Sequence, residues 1–198
     1  KFLAAHKGEK NKLSIYGQEV IDGIWRICKM NLALRGIDTS NIYLGNSLKN
    51  DKFPDGKKAN FILANPPFNV EEWGYNQLSE DRRWEYGTPK NNNANYAFMQ
   101  HMLYHLDDNN GRMGLVLANG STNVKDVSEE IRKKIIDADL IDCMIALPEH
   151  LFSTTPIPAC IWFFTKNKND GKYRKRIGET LFIDARKEFT TIDRVQNE

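Results

Sequence analysis

Seven apolar runs of β type punctuate the chain. They are 13–20 (LSIYGQEV), 41–48 (NIYLGNSL), 59–65 (ANFILAN), 112–118 (RMGLVLA), 140–147 (LIDCMIAL), 159–165 (ACIWFFT) and 180–185 (TLFIDA). Several are continuously apolar, the pattern of strands covered on both faces. Between them the apolar spacing becomes helical. Ile21, Ile24 and Cys28 fall at helical intervals, and that segment ends at Gly36, a plausible helix stop. Tyr96, Met99, Leu103 and Leu106 form a second stripe, followed by the turn DDNNG. Asp126 with Glu129 reads as the cap of a third helix that carries Val127, Ile131 and Ile135. Strands alternating with helices predict an α/β fold with a mostly parallel sheet joined by crossovers. No internal repeat or low-complexity tract interrupts the pattern.

The stretch from Asn69 to Asn93 breaks the alternation. It is long and polar, yet it carries Trp73, Tyr75, Trp84 and Tyr86. A connection of this length inside a domain is functional or disordered, and the tryptophans argue against simple disorder. Two readings stand: a working loop, or a lid that packs its rings on the domain surface.

Composition narrows the class. A chain of 198 residues is long enough for an α/β core, and 40% hydrophobic with 27% charged residues excludes wholesale disorder. A net charge of +2 is too small to mark a nucleic-acid binder, so any DNA contact must come from a local patch or a partner. Cys28, Cys143 and Cys160 have no CxxC spacing and read as small buried hydrophobes in a reducing compartment. No apolar run reaches membrane-spanning length and no signal peptide is evident, so the expected setting is cytoplasmic. The chain begins at Lys1 and enters a strand-like segment at once, which reads as part of a longer protein.

The chemistry concentrates in Asn65-Pro66-Pro67-Phe68, directly after an apolar strand. Proline cannot continue a ladder, so the strand ends there and the backbone turns outward. In an open parallel sheet, ligands bind beyond the carboxyl ends of the strands. An exocyclic amine of adenine is a poor nucleophile because its lone pair is delocalised into the ring. Acceptors for both of its hydrogens favour a pyramidal nitrogen and take up the positive charge that develops on attack. The Asn65 side-chain oxygen and the Pro66 carbonyl can be those acceptors, held by the stiff Pro66-Pro67 pair. Phe68 offers a ring on which an extruded base can stack. This chemistry requires no metal, and no metal-ligand cluster is evident. The plain alternative is a strand-ending turn with a buried Phe.

NPPF matches the (N/D)-P-P-(Y/F/W) motif of amino-methyltransferases. The chain resembles the modification subunits of type I restriction systems in YGQE (16–19), KMNLALRGID (29–38), ILANPPFN (62–69), DRRWEYGTP (81–89) and NNANYAFMQHML (92–103). The likeness continues through GLVLANGS (114–121), EEIRKKIIDADLIDCMIALP (129–148) and LFSTTPIPACIWFFTKNK (151–168). It implies a Rossmann-like methyltransferase fold, with residues 1–198 forming a partial catalytic core. It implies S-adenosylmethionine as methyl donor and adenine N6 in double-stranded DNA as acceptor. The partners it implies are a specificity subunit and a restriction subunit.

By the same resemblance, Glu19 is the acidic residue on the cofactor ribose, and a carboxylate at a strand end can accept from two hydroxyls. A surface Glu opening a helix is the alternative. Asn65, Pro66, Pro67 and Phe68 match the catalytic motif, and Asn65 also borders the cofactor. Phe152 matches a late aromatic position near the target base, although a core Phe fits equally. Asn46 stands where the family often has Asp. Its oxygen can still accept from the cofactor's adenine amine, or it is only a turn residue. The family's glycine-rich cofactor loop has no counterpart in 1–13, where Gly8 stands alone, so the fold is expected to be incomplete at its N-terminus. NPPF by itself also fits an amino-methyltransferase of RNA or protein, and the missing loop fits a non-catalytic scaffold.

Weaker signals remain. Lys1, Lys7, Lys10 and Lys12 make one basic run, and Lys166, Lys168, Lys172, Arg174, Lys175 and Arg176 make another. Either can meet phosphates, and either can simply be solvated. His101 and His105 sit four apart on a helix without a third ligand near in sequence, which favours a structural role.

Overall fold

A computed structural model describes residues 13–53, 57–152, 156–188, 190–193 and 196–197. Gly8 and the basic run Lys1, Lys7, Lys10 and Lys12 lie outside them. The chain separates into two compact units, Lys1–Asp55 and Gly56–Glu198.

In the first unit, β1 (Gly17–Glu19) and β2 (Ile42–Leu44) pair in parallel, with Glu19 opposite Leu44. They are joined by helix α1 (Asp22–Ala33). The Trp25 indole N–H donates to the Ile42 carbonyl at 2.9 Å and fixes the helix against the pair. The helix stops where the sequence indicates. Gly36 has φ +67°, and Ile37 N–H returns to the Leu32 carbonyl, a closure that favours a residue without Cβ.

The second unit holds a five-stranded sheet in the order β3-β4-β6-β5-β7. Its strands are β3 (Phe61–Ala64), β4 (Arg112–Ala118), β5 (Ile141–Ala146), β6 (Ala159–Thr165) and β7 (Leu181–Asp184). The β3/β4 and β5/β7 pairs are parallel, and β6 is antiparallel to both neighbours. Four strands therefore run one way and β6 alone reverses. An antiparallel neighbour needs no crossover helix, and β5 passes to β6 without one. Helix α2 (Tyr75–Leu78) and helix α3 (Asn95–His105) lie between β3 and β4. A 3₁₀ turn (Asn119–Thr122) and helix α4 (Val127–Asp137) lie between β4 and β5. Two short strands, β8 (Thr191–Asp193) and β9 (Gln196–Asn197), form a separate hairpin that the hydrophobic pattern does not announce.

All seven apolar runs contain a strand. One expectation needs correction: α3 and α4 cover only one face of the larger sheet. On that face Tyr96, Met99, Leu103 and Leu106 meet Met113, Leu115, Leu117, Ile131, Ile135, Trp162 and Phe164. On the other face Leu63 is 85% exposed, and Phe61, Leu181 and Ile183 are also open. The continuous apolar runs thus reflect two apolar faces, of which the described helices bury one.

Two details tighten the frame. At Gly111, after the DDNNG turn, a Cβ would lie 2.4 Å from the Asp107 carbonyl, so only glycine fits. Asp126 caps α4 by accepting from Ser128 N–H at 2.8 Å. Glu129 does not complete a capping box and pairs with Lys133 at 3.6 Å.

Candidate active site

The carboxyl end of β3 delivers Asn65-Pro66-Pro67-Phe68 as expected of a proline-terminated strand. Pro66 is buried, Asn65 and Pro67 are exposed, and Phe68 is half-buried. Among the described residues neither the Asn65 side chain nor the Pro66 carbonyl forms a hydrogen bond. Asn65 is exposed, so its oxygen is an open acceptor at the strand end, whereas the unbonded Pro66 carbonyl belongs to a buried residue. Phe68 meets Phe152 edge to face, with ring centroids 6.2 Å apart and planes at 76°. Four catalytic-motif residues and the late aromatic residue therefore share one location.

The next residue, Asn69, turns the chain with φ +54°, a conformation asparagine tolerates better than most residues. Its N–H donates to Asn95 Oδ1 at 3.0 Å, and Asn95 Nδ2 donates back to Asn69 Oδ1 at 3.0 Å. Asn93 Nδ2 donates to the same Asn69 oxygen at 3.1 Å, and Asn95 N–H donates to Asn93 Oδ1. Ala94 N–H donates to the Val70 carbonyl at 2.9 Å. Asn95 is buried at the start of α3. The neighbouring Tyr96 hydroxyl donates to the Ser121 carbonyl at 2.8 Å, which ties the turn after β4 to the same helix. Trp162 Nε1 donates to Ser121 Oγ at 3.3 Å. Burial pushes the Tyr96 phenol up, against the opposing effect of Arg132.

Asn69, Asn93, Asn95 and Ser121 are the residues that sequence reasoning missed. The available signal was the pairing of Asn69, just after the prolines, with an Asn-rich run that opens a helix, since asparagine favours turns and caps.

The stretch from 69 to 93 is a packed lid. Trp73 and Trp84 are buried and meet edge to face at 5.7 Å. The Trp73 indole donates to the Lys90 carbonyl at 2.9 Å. Tyr86 N–H donates to Gln100 Oε1, and Gln100 Nε2 donates to the Gly87 carbonyl. Asp81 grips Arg83 through two oxygens, at 2.8 Å each. That guanidinium holds the Asp81 carboxyl below its ordinary value. Burial pushes the Tyr86 phenol up to about 12.

His101 and His105 belong to this packing. Arg83 Nη1 lies 3.0 Å from His101 Nδ1, and His105 Nδ1 lies 3.1 Å from the Lys57 carbonyl. The basic run after β6 is largely used internally. Lys168 is buried and donates to Asp139, the Ile141 carbonyl and the Glu179 carbonyl, all within 2.8 Å. Lys166 pairs with Asp108, Arg174 with Glu179 and Arg176 with Asp142. Lys172 and Lys175 are exposed. Of the cysteines, Cys160 is buried, whereas Cys28 and Cys143 are only half-buried.

The two remaining site residues belong to the first unit. Glu19 ends β1, and its Oε1 accepts from Ile21 N–H at 2.9 Å at the entrance of α1. Its second oxygen has no hydrogen bond among the described residues. Asn46 follows β2, and its Oδ1 accepts from Leu48 N–H at 3.0 Å and Lys49 N–H at 2.9 Å. Parallel pairing sets both at the carboxyl edge of β1 and β2. Gln18 holds the segment after β2 in place, donating to the Asn50 carbonyl and accepting from Lys52 N–H.

Comparison with known proteins gives the family and the fold. The family described as N-6 DNA Methylase matches residues 1–198. The HindI methylase subunit, a type I restriction enzyme component of Haemophilus influenzae, is 50% identical over 197 residues, 98% of this chain and 43% of that protein. The crystal structure of a type I restriction-modification methyltransferase subunit from Streptococcus thermophilus superposes with TM-score 0.80 at 29% identity. That match covers 92% of this chain and 38% of the other. A putative class I S-adenosylmethionine-dependent methyltransferase from Listeria monocytogenes shares the fold alone, with TM-score 0.63 at 16% identity over 88% of this chain and 51% of that one. The chain spans under half the length of the curated relative. No helix among the described residues is long and apolar enough to cross a membrane.

Proposed function

The chain belongs to the N-6 DNA methylase family, and from that premise we propose that it forms the catalytic core of a DNA adenine methyltransferase of the type I modification class. The reaction is methylation of the exocyclic amine of adenine in double-stranded DNA, with S-adenosylmethionine as donor. One observation carries the reading. The turn after β3 presents two unbonded oxygens, Asn65 Oδ1 and Pro66 O, beside the Phe68–Phe152 pair.

The two oxygens accept the two hydrogens of the amine, so the nitrogen lone pair leaves conjugation and points away from them. Both acceptors gain strength as that nitrogen becomes positive, which lowers the barrier more than it tightens substrate binding. Phe68 and Phe152 supply the apolar surface on which an extruded adenine rests. Pro66 and Pro67 fix the backbone so that the acceptors need no reorganisation. After transfer the amine releases one proton to water.

In the first unit the Glu19 carboxylate fits the proposed cofactor, whereas the Asn46 oxygen is taken up by two backbone N–H groups and leaves only an NH₂ to offer it. Glu19 keeps one carboxylate oxygen open at a strand end, suited to a ribose diol, and Asn46 sits beside it at the edge of the next strand. When bound, S-adenosylmethionine supplies a methyl group activated by a sulfonium. Target choice is assigned to a specificity partner, and a restriction subunit completes the assembly. Likeness to a type I methylase subunit supports both.

The test is Asn65→Ala in the protein that carries this chain. Methyl transfer from radiolabelled donor to unmethylated DNA is expected to fall by at least about a hundredfold, the scale of losing one transition-state acceptor. Cofactor affinity is expected to stay within about threefold. Near-normal DNA methylation by the variant would overturn the mechanism, and a wild-type preference for RNA or protein would overturn the substrate.

A further inference from the structure

Resting on the reading of the Asn65–Phe68 turn as catalytic, we propose that Asn69, Asn93 and Asn95 form a latch that sets the position of that turn. They are positioning residues and need touch neither adenine nor cofactor.

The argument begins with what holds the turn. On its upstream side the last ladder position is Ala64, paired with Leu115. From Asn65 to Phe68 no hydrogen bond is formed among the described residues, and two of the four residues are prolines without an N–H. The next anchor is Asn69, with one bond through its N–H and two into its side-chain oxygen. The turn is thus suspended between a strand and the asparagine cluster. Loss of the cluster leaves its downstream side to the Val70–Ala94 backbone bond and the Phe68–Phe152 contact, neither of which fixes the Asn69 backbone directly. A reacting group displaced by about 1 Å loses on the order of a hundredfold in rate.

The orientation of each side chain in the latch follows from backbone chemistry. Asn69 N–H can only donate, so the Asn95 atom facing it is Oδ1. Asn95 Nδ2 must then face Asn69 Oδ1. Asn95 N–H likewise requires Asn93 Oδ1, which leaves Asn93 Nδ2 for the same Asn69 oxygen. Asn69 therefore acts through its side chain as an acceptor only, whereas Asn95 must be acceptor and donor together.

That asymmetry makes the same chemical change opposite in effect at two positions. Asn69→Asp keeps every latch bond, strengthens the acceptor and tolerates the positive φ. Asn95→Asp keeps one bond and turns a carboxylate oxygen onto Asn69 Oδ1. Simple loss of a buried polar contact would not predict a harmless charge at one partner and a harmful one at the other.

The experiment compares wild type, Asn69→Asp, Asn95→Asp and Asn93→Ala in the protein that carries this chain. Steady-state transfer of labelled methyl from S-adenosylmethionine to unmethylated genomic DNA gives kcat and KM. Hydrogen exchange of peptides spanning 66–70 reads the turn independently of activity. Asn95→Asp is expected to lower kcat about a hundredfold with KM for DNA within threefold, and to speed exchange at 68–70. Asn69→Asp is expected to stay within threefold of wild type in both readouts. Asn93 is only half-buried, so Asn93→Ala preserves the fold and is expected to give an intermediate loss of about tenfold. Wild-type exchange and kcat in both Asn95→Asp and Asn93→Ala would overturn the latch, as would equal losses in Asn69→Asp and Asn95→Asp. Full activity in Asn65→Ala instead sinks the catalytic reading of the turn, while the exchange arm still reads the latch.

Discussion

Asn46 shows how the bonds an amide oxygen makes to its own backbone limit what it can offer a ligand. Its Oδ1 already accepts two backbone N–H groups, so both lone pairs are engaged. What remains to it is an NH₂ group, which donates and cannot receive the amine of the proposed cofactor's adenine. Asn46→Asp keeps the two backbone bonds through one oxygen and frees a second to accept from that amine. The variant is therefore expected to bind S-adenosylmethionine several-fold more tightly by calorimetric titration, with unchanged secondary structure. Equal or weaker affinity would remove position 46 from the cofactor's adenine. Residues of this kind are legible when their chemistry is local. Asn65, Pro66 and Phe68 announce themselves because the prolines, the acceptor and the ring are contiguous after a strand. Asn95 does not, because its partner Asn69 lies 26 residues away and both bonds depend on a fold that periodicity does not encode.

At the scale of elements, the lid from Asn69 to Asn93 depends on one ion pair more than on its helix of four residues. Asp81 holds Arg83 in a fork, and Arg83 reaches His101 on α3, so the pair joins the lid to the helix. The side-chain bond to Arg83 is the main reason that the Asp81 carboxyl stays below its usual value of 3.8 in the fold. A depressed carboxylate contributes stability that is present in full above the unfolded value and is lost as pH falls through the folded one. Acidification below about pH 4 is therefore expected to loosen the lid, seen as a change in fluorescence of the buried Trp73 and Trp84. In Asp81→Asn that acid-sensitive step should disappear, leaving a weaker but pH-flat lid. Identical acid profiles for the two proteins would show that other carboxylates govern the step. The aromatic content of this stretch argued against disorder, and the rings do pack. Element type was readable from spacing, but strand direction was not. A period of two is the same along β6 in either direction, so its reversal appears only when its partners are known. The apolar runs likewise could not tell a covered face from an open one.

The whole molecule divides its apolar burial unevenly, and its stability should follow that division. In the second unit fourteen buried residues form one cluster, with Leu115, Leu106 and Ile135 fully enclosed. In the first unit the described buried hydrophobic residues are Ile42 and Leu48, while Ile24, Ile27 and Met30 on α1 and Leu34 just after it stand about half or more exposed. Burial scales with stabilisation, so the larger sheet with α3 and α4 supplies the cooperative unit. Leu115→Ala opens a cavity at the centre of β4, in the cluster that includes residues of α3, the helix that begins with Asn95. It is expected to cost about 2–5 kcal/mol in chemical denaturation. Ile27→Ala removes a side chain that is 55% exposed and is expected to change stability by no more than about 0.5 kcal/mol. The contrast bears on function because the proposed acceptors hang from the unit with the larger cluster, whereas Glu19 and Asn46 sit in the one with few buried apolar residues among those described. The proposed catalytic acceptors thereby sit on the unit with the larger described core, and the proposed cofactor residues on one that ligand binding can stabilise by mass action. An equal cost for the two substitutions would mean that α1 is buried in solution by surface this structure leaves open, and the division of labour between the units would fall with it.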